Sequence, residues 1–264
     1  MRTLLLDAGN TRLKWGVLED GEIVETDHVS MADIHDAGLS VLTKRLPRDV
    51  GFAYVSNVAG QSFATRLTGV LSAHCGCDLG FAKTAREACG VSNAYPDPRQ
   101  MGVDRWAALI GAWREFRSAV LVVDAGTAVT LDALDSKGKH LGGQIVPGFA
   151  LMAGALSRDT SDIPVVDGGA VEELQRDVSI FADSTAGCVS HGAANAVAGA
   201  IERAISVLRS SAYDPALVLT GGDASRILQA VNITPHHRPE LVLAGLAELL
   251  AQERAGLTAA GGAQ

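Results

Sequence analysis

The chain has 264 residues, enough for one large domain or two of ordinary size. Its formal charge is −8 and no basic cluster is longer than Lys44–Arg45, which argues against nucleic acid as a ligand. No apolar run approaches the roughly 18 residues of a membrane span, and Asp7 interrupts the first run before a signal-peptide core is complete. The four cysteines are scattered, which indicates a reducing, cytoplasmic compartment. Together these features predict a cytoplasmic protein that binds neither membrane nor nucleic acid.

The first half of the chain predicts three strands followed by alternating helices and strands. Leu13, Trp15 and Val17 alternate with other residues as in a half-exposed strand, and Asp20-Gly21 is typical of a hairpin turn. The predicted elements are strands over 3–9, 11–20 and 22–29, a helix over 34–46, a strand over 50–57, a helix over 61–74, a strand over 79–83 and a helix over 102–116.

The second half begins with the same pattern of three strands. The predicted elements are strands over 119–126, 128–135 and 140–146, helices over 149–157 and 185–208, a strand over 216–222, and helices over 224–231 and 239–254. The last ten residues, 255–264, have no apolar period and predict a frayed tail. His236-His237 reads as an exposed loop.

One short motif occurs twice, as LLLDAGN over residues 4–10 and LVVDAGT over residues 121–127. Each copy ends the first strand of a half, which predicts two α/β lobes, residues 1–117 and 118–264. Glycine lets a backbone approach an anion closely, and Thr or Asn can donate hydrogen bonds to phosphate oxygens. A single such turn is more often just a tight turn, but two at matching positions favour a nucleotide held between the lobes. LVLTGGDAS over residues 217–225 ends a strand in Gly-Gly and opens a helix, which suits an adenosine, although it also fits a plain connection.

These motifs resemble a known family. The order of two phosphate turns and an adenosine loop is similar to that in the actin, Hsp70 and sugar-kinase superfamily, whose lobes are of the ribonuclease H-like type. Within it, DAGNTRLKWG, GVDRW, VVDAGTAVTLDAL and LTGGDA resemble the type III pantothenate kinases, which include Bvg accessory factor proteins. The resemblance runs from Leu4 to about Leu250 and implies phosphorylation of pantothenate to 4'-phosphopantothenate by ATP, the first step of coenzyme A synthesis.

The resemblance also implies a set of site residues. Asp104 would be the catalytic base, and Asp7 would lie near magnesium and the phosphates. ATP would be bound by Asp7, Ala8, Gly9, Asn10, Thr11, Arg12, Leu13, Lys14 and Thr127. Pantothenate would be bound by Tyr95, Gly102, Val103, Asp104, Arg105 and Thr185. Asp124 matches the position where some members hold a potassium or ammonium ion, and the resemblance favours a homodimer.

Each of these residues also has an ordinary structural interpretation. Lys14 would otherwise be a solvated strand residue, Asp104 a helix-capping carboxylate and Arg105 a surface ion pair. Tyr95 could anchor its loop, and Ser184 or Thr185 could cap the helix that follows. Relatives often have Asn where this chain has Ser184.

Two other functions fit the same motifs. One is a non-catalytic nucleotide-binding accessory protein of this fold, which would have less reason to keep Asp7, Asp104 and Arg105. The other is a superfamily enzyme that phosphorylates a different acceptor, which activity assays with a panel of substrates would reveal. Cys75-Gly76-Cys77 beside His74 is too tightly spaced for a zinc site and indicates plain thiols.

Overall fold

The computed structural model describes residues 2–160, 163 and 180–261. Its strands, in chain order, are β1 Thr3–Ala8, β2 Arg12–Glu19, β3 Glu22–Ser30, β4 Phe52–Asn57, β5 Asp78–Phe81, β6 Glu87–Ala88, β7 Val91–Ser92, β8 Val120–Ala125, β9 Ala128–Leu134, β10 His140–Pro147, β11 Ala216–Thr220 and β12 His236–His237. Its α-helices are α1 Met31–Ala37, α2 Gln61–Cys75, α3 Val103–Phe116, α4 Phe149–Asp159, α5 Thr185–Ser210, α6 Ala224–Ala230 and α7 Leu241–Gly261. Short 3-10 helices cover Leu39–Lys44 and Pro98–Gln100.

The chain divides into two compact units. Unit 1 contains residues 1–115 and 240–264, and unit 2 contains residues 116–239. The sheet of unit 1 has the order β3-β2-β1-β4-β5, and that of unit 2 has the order β10-β9-β8-β11-β12. In both, the first three strands are antiparallel and the last two join in parallel. The predicted α/β fold with two similar halves is therefore confirmed.

The first strand of each unit is buried because its apolar side chains face helices. In unit 1, Leu4 and Leu6 of β1 share a core with Leu67 and Leu71 of α2. In unit 2, alternate residues of β8 share a core with α4 and α5 side chains; these are Leu121, Val123, Ala125, Phe149, Val197 and Ile201. Burial of such side chains is the main stabilising contribution to each unit.

The last helix belongs to unit 1, whereas the division predicted at residues 117 and 118 assigns it to the second half. Helix α7 packs on the sheet of unit 1, where Arg254 donates to the hydroxyl of Thr3 at 3.2 Å. It also packs against α3 so closely that a β-carbon at Gly245 would overlap the backbone carbonyl of Ala107. Only this packing, not local sequence, decides which half receives the helix.

Three local predictions differ from the structure. The helix predicted over 34–46 is replaced by α1, whose N-cap Ser30 accepts from the amide of Asp33 at 3.0 Å, and by a 3-10 helix, because Gly38 with φ 74° ends α1. Of the tail predicted over 255–264, residues 255–261 are helical rather than frayed, and Thr258 donates to the carbonyl of Arg254 at 2.9 Å, whereas residues 262–264 lie outside the described part of the chain. The exposed pair His236–His237 forms β12 at the edge of its sheet.

Candidate functional site

The first predicted phosphate turn joins β1 to β2. Its amide at Gly9 donates to the carbonyl of Arg12 at 3.1 Å, which closes the turn. Asp7 lies opposite Lys14 in the antiparallel pair and opposite Ser56 in the parallel pair with β4. The hydroxyl of Ser56 donates to Oδ1 of Asp7 at 3.1 Å. The carboxylate of Asp7 is thus oriented at the end of its strand by a residue that the sequence analysis did not select.

The residues of this turn divide into two groups. Asn10, Thr11 and Arg12 are exposed, so their side chains can meet a ligand. Ala8 and Leu13 are fully buried, and both belong to the core of unit 1. Any contribution of Ala8 and Leu13 to ATP binding would therefore come from their backbone groups.

The second predicted group lies at the start of α3. The helix begins at Val103, and the amide of Trp106 donates to the carbonyl of Gly102 at 3.1 Å. Asp104 sits in the first turn, where negative charge is favoured by the helix dipole, and its Oδ1 accepts from the amide of Arg105 at 2.8 Å. This carboxylate is half-buried.

Arg105 and Tyr95 are in direct contact. Nη1 of Arg105 donates to the hydroxyl of Tyr95 at 3.1 Å, and the guanidinium carbon lies 5.8 Å from the centroid of the Tyr95 ring. Arg105 is 8% exposed, so the alternative of a surface ion pair does not describe it. Two of the predicted pantothenate-binding residues are therefore brought together by the fold.

The start of α3 also lies beside the ends of β1 and β4. The amide of Val58, just after β4, donates to the carbonyl of Ala8 at 3.0 Å. A β-carbon built at Gly102 would be 3.9 Å from Cγ1 of Val58. Gly102 is therefore a neighbour of the segment that holds the carboxyl end of β1, where Asp7 lies.

The loop that carries Tyr95 is held by two residues that the sequence analysis did not find. The guanidinium of Arg86 donates to the carbonyls of Asn93 at 3.3 Å, Tyr95 at 2.6 Å and Pro96 at 2.5 Å. The buried side chain of Asn93 accepts from the amide of Tyr95 at 2.9 Å and donates to the sulfur of Met101 at 3.5 Å. No local motif marks either residue, because most of their partners are backbone groups that come close only in the folded loop.

The second phosphate turn, in unit 2, joins β8 to β9. The amide of Gly126 donates to the carbonyl of Ala128 at 3.0 Å, and the amide of Gly148 donates to the carbonyl of Thr127 at 2.9 Å. Thr127 is exposed, and Asp124 is half-buried near the end of β8. Gly148, the residue that precedes α4, thus holds the backbone of this turn at Thr127.

The Gly-Gly loop of unit 2 packs directly on this second turn. The amide of Asp223 donates to the carbonyl of Ala125 at 3.0 Å, and Thr220 lies opposite Asp124 in the parallel pair of β11 with β8. Gly221 has φ 94°, and a β-carbon there would be 2.5 Å from Oδ1 of Asp124. The Gly-Gly loop, predicted to bind adenosine, and the second DAG turn are therefore adjacent within unit 2.

Thr185 is the exposed first residue of α5 in unit 2. The helix is capped by Ser184, whose hydroxyl accepts from the amide of Gly187 at 3.2 Å. Thr185 is thus not needed as the N-cap.

The thiols near His74 are not built for reactivity. Burial, together with the neighbouring Cys77, raises the pKa of the Cys75 thiol to about 11, and Sγ of Cys75 donates to the carbonyl of Pro47 at 3.3 Å. The four cysteines, all within the described residues, form no disulfide. Among the described residues, no three His, Cys, Asp or Glu side chains form a group that could hold a metal ion. No described helix is long and apolar enough to cross a membrane.

Known proteins resemble this chain in sequence and in fold. A family profile described as type III pantothenate kinase matches residues 3–207. The type III pantothenate kinase of Azoarcus sp. (strain BH72) is 40% identical over 257 residues, covering 96% of this chain and 92% of the relative.

Two solved structures share the fold. One, described as a conserved putative Baf family transcriptional activator from Campylobacter jejuni, has a TM-score of 0.58 at 17% identity and covers 96% of this chain and 99% of its own. The other, an activator of the 2-hydroxyisocaproyl-CoA dehydratase from Clostridium difficile with bound ADPNP, has a TM-score of 0.53 at 16% identity and covers 99% of this chain and 98% of its own.

Proposed function

Because the chain belongs to the type III pantothenate kinase family and so phosphorylates pantothenate with ATP in coenzyme A synthesis, we propose specific roles for its residues in that reaction. The observation that carries the proposal is the start of α3, where Asp104 stands in the first turn and Arg105 reaches Tyr95. A half-buried carboxylate can accept the proton in phosphoryl transfer, and the buried guanidinium of the next residue in the chain can stabilise the charge.

Asp104 acts as the general base. The primary hydroxyl of pantothenate gives its proton to the Asp104 carboxylate while its oxygen bonds to the γ-phosphorus, and the bond from that phosphorus to the bridging oxygen of ADP breaks. The contact of the Asp104 carboxylate with the Arg105 amide supports this role, because it fixes the carboxylate before the substrate arrives.

Arg105 and Tyr95 bind and orient pantothenate. The Tyr95 ring can cover the apolar part of the chain, and the buried guanidinium can bind the pantothenate carboxylate or the charge on the transferred group. Gly102 and Val103 complete this segment, and Thr185, the exposed first residue of α5, gives a further polar contact.

The first turn and Thr127 bind ATP. The exposed Asn10, Thr11 and Arg12 offer donors to phosphate oxygens, and Lys14, opposite Asp7 in β2, supplies positive charge. An ATP-dependent kinase uses a divalent metal with its nucleotide, and we propose magnesium. The oriented, half-buried oxygens of Asp7 fit the hard-ligand preference of magnesium, which would neutralise phosphate charge when bound.

Asp124 holds a monovalent cation, potassium or ammonium. Its half-buried carboxylate lies against the Gly-Gly loop, and a cation there would offset repulsion between this carboxylate and a triphosphate. We further propose a homodimer, for which the small residues on α5 permit close helix approach, and a cytoplasmic location, where ATP is available.

The test is ADP formation from ATP and magnesium with and without pantothenate, in potassium, ammonium or sodium buffer. The wild type is compared with Asp104→Asn and with Asp36→Asn, an exposed carboxylate of α1 that serves as the matched control. We expect Asp104→Asn to lose at least a hundredfold in kcat while Asp36→Asn keeps full activity. Full activity in Asp104→Asn would remove the base assignment, and equal rates in all three salts would remove the cation proposal.

A further inference from the structure

The guanidinium of Arg86 is engaged with main-chain oxygens of the loop that carries Tyr95. It donates to the carbonyls of Asn93, Tyr95 and Pro96, at distances between 2.5 and 3.3 Å. The amide of Asn93 in turn donates to the carbonyl of Arg86 at 2.9 Å, so this pair is linked in both directions. One side chain therefore holds the backbone of residues 93–96 through three hydrogen bonds.

This pinned loop presents the Tyr95 hydroxyl to Arg105. The hydroxyl accepts from Nη1 of Arg105 at 3.1 Å, and the Tyr95 ring lies against the same guanidinium. A second contact reinforces the loop, because the Asn93 side chain accepts from the Tyr95 amide at 2.9 Å. The guanidinium of Arg86 thus contacts the backbone of the loop, and Tyr95 is the residue of that loop that reaches Arg105.

We propose that Arg86 is a positioning residue for pantothenate binding, which sets the place of Tyr95 and, through it, the direction of the Arg105 guanidinium. The inference rests on the proposed assignment of Tyr95 and Arg105 to the pantothenate site. Lysine cannot take this role, because a single ammonium lacks the planar fork that reaches several carbonyls at once. The side chain thus contributes shape and hydrogen bonds rather than charge alone.

The experiment measures steady-state kinetics of Arg86→Lys and Arg86→Gln with each substrate varied in turn. We expect KM for pantothenate to rise about tenfold, the size typical of losing hydrogen bonds from a charged group, while KM for ATP stays within about twofold. The matched control is Arg66→Lys, an exposed arginine of α2 whose guanidinium carbon lies 5.9 Å from the Phe63 ring centroid. It should leave both KM values within about twofold.

A double-mutant cycle with Tyr95→Ala separates positioning from a general loss of structure. If Arg86 acts through Tyr95, Arg86→Lys adds less than about twofold to KM for pantothenate in the Tyr95→Ala background. A full tenfold rise in that background, an equal rise in KM for both substrates, or no rise in either Arg86 variant would overturn the inference. Tyr95→Ala without any effect on KM for pantothenate would be a different failure, because it would remove the proposed role of Tyr95 itself.

Discussion

A β-carbon built at Gly102 would stand 2.5 Å from Oδ1 of Asp104, so the carboxylate occupies the space that a side chain at position 102 would need. Gly102→Ala should therefore displace Asp104 without removing it. We expect kcat to fall at least tenfold, because misplacement of a reacting group by about 1 Å is costly. Steady-state kinetics with saturating ATP and pantothenate would measure the fall.

The control for this change is Gly69→Ala. Gly69 is an exposed residue of α2, and a β-carbon there would have no heavy atom within 4 Å. Alanine favours a helix over glycine by about 1 kcal/mol, so this variant should be fully active and slightly more stable. An equally active Gly102→Ala enzyme would show that Asp104 does not need its present position.

Gly221→Ala tests the contact between the Gly-Gly loop and the second DAG turn. At φ 94° any side chain is strained, and here the new β-carbon would also overlap the carbonyl oxygen of Ala125 and Oδ1 of Asp124. Gly60 has the same φ of 94°, with nothing within 4 Å, so Gly60→Ala reports the backbone strain alone. Strain of this kind costs about 1 to 3 kcal/mol, and the added overlap should make Gly221→Ala clearly the worse of the two.

Urea unfolding of both glycine variants, with KM for ATP measured beside it, checks this expectation. KM for ATP should rise in Gly221→Ala and stay unchanged in Gly60→Ala. Equal losses of stability in the two variants would mean that the loop moves away from the second DAG turn at no cost.

Tyr54 should make unit 1 lose stability as the pH rises above about 10. Burial, followed by the hydrogen bond and the negative charge of Glu253, raises the pKa of the Tyr54 phenol well above its usual value. The folded chain therefore keeps the proton that the unfolded chain loses above pH about 10, so the free energy of unfolding falls as pH rises further. One such group contributes at most about 1.4 kcal/mol per pH unit.

Tyr54→Phe is the comparison that isolates this contribution. Because the variant lacks the hydrogen bond to Glu253, its free energy of unfolding at pH 7 should be about 1 to 2 kcal/mol lower than that of the wild type. Its stability should also fall less steeply above pH 10. Urea unfolding at several pH values between 7 and 11 gives both slopes. Identical slopes in the two proteins would contradict the raised pKa.

Cys75 should react slowly with alkylating reagents. With a pKa of about 11 its thiolate is scarce at pH 8, and the rate with iodoacetamide should be on the order of a hundredfold below that of an ordinary thiol. The exposed Cys188 in the same chain is the internal reference, and peptide mass spectrometry separates the two sites. If Cys75 were modified as fast as Cys188, the thiol would not be suppressed.

Most of the elements were predictable because their signals are local. The apolar alternation of Leu13, Trp15 and Val17 and the short apolar run from Leu121 to Val123 before Gly126 both predict strands. The two DAG turns and GVDRW were also visible, and their match to a family made Asp104 a candidate. Periodicity alone would have assigned that residue to helix capping.

Other features depend on residues far apart in the chain. Nothing around residues 241–261 says that α7 packs on β1 and α3, because that choice depends on the fit of Gly245 against Ala107. The link from Arg86 through Tyr95 to Arg105 likewise uses carbonyls and a hydroxyl whose positions exist only in the folded loop.

Short-range periodicity and motifs of a few residues were thus enough to predict most of the elements, the duplicated turn and the family. Three features followed only from the folded chain: the unit to which the last helix belongs, the space that Gly102 leaves for Asp104, and the residues that hold Tyr95 in place. The physical reason is that close packing and hydrogen bonds to backbone groups are set by distances in space, which a local pattern does not encode.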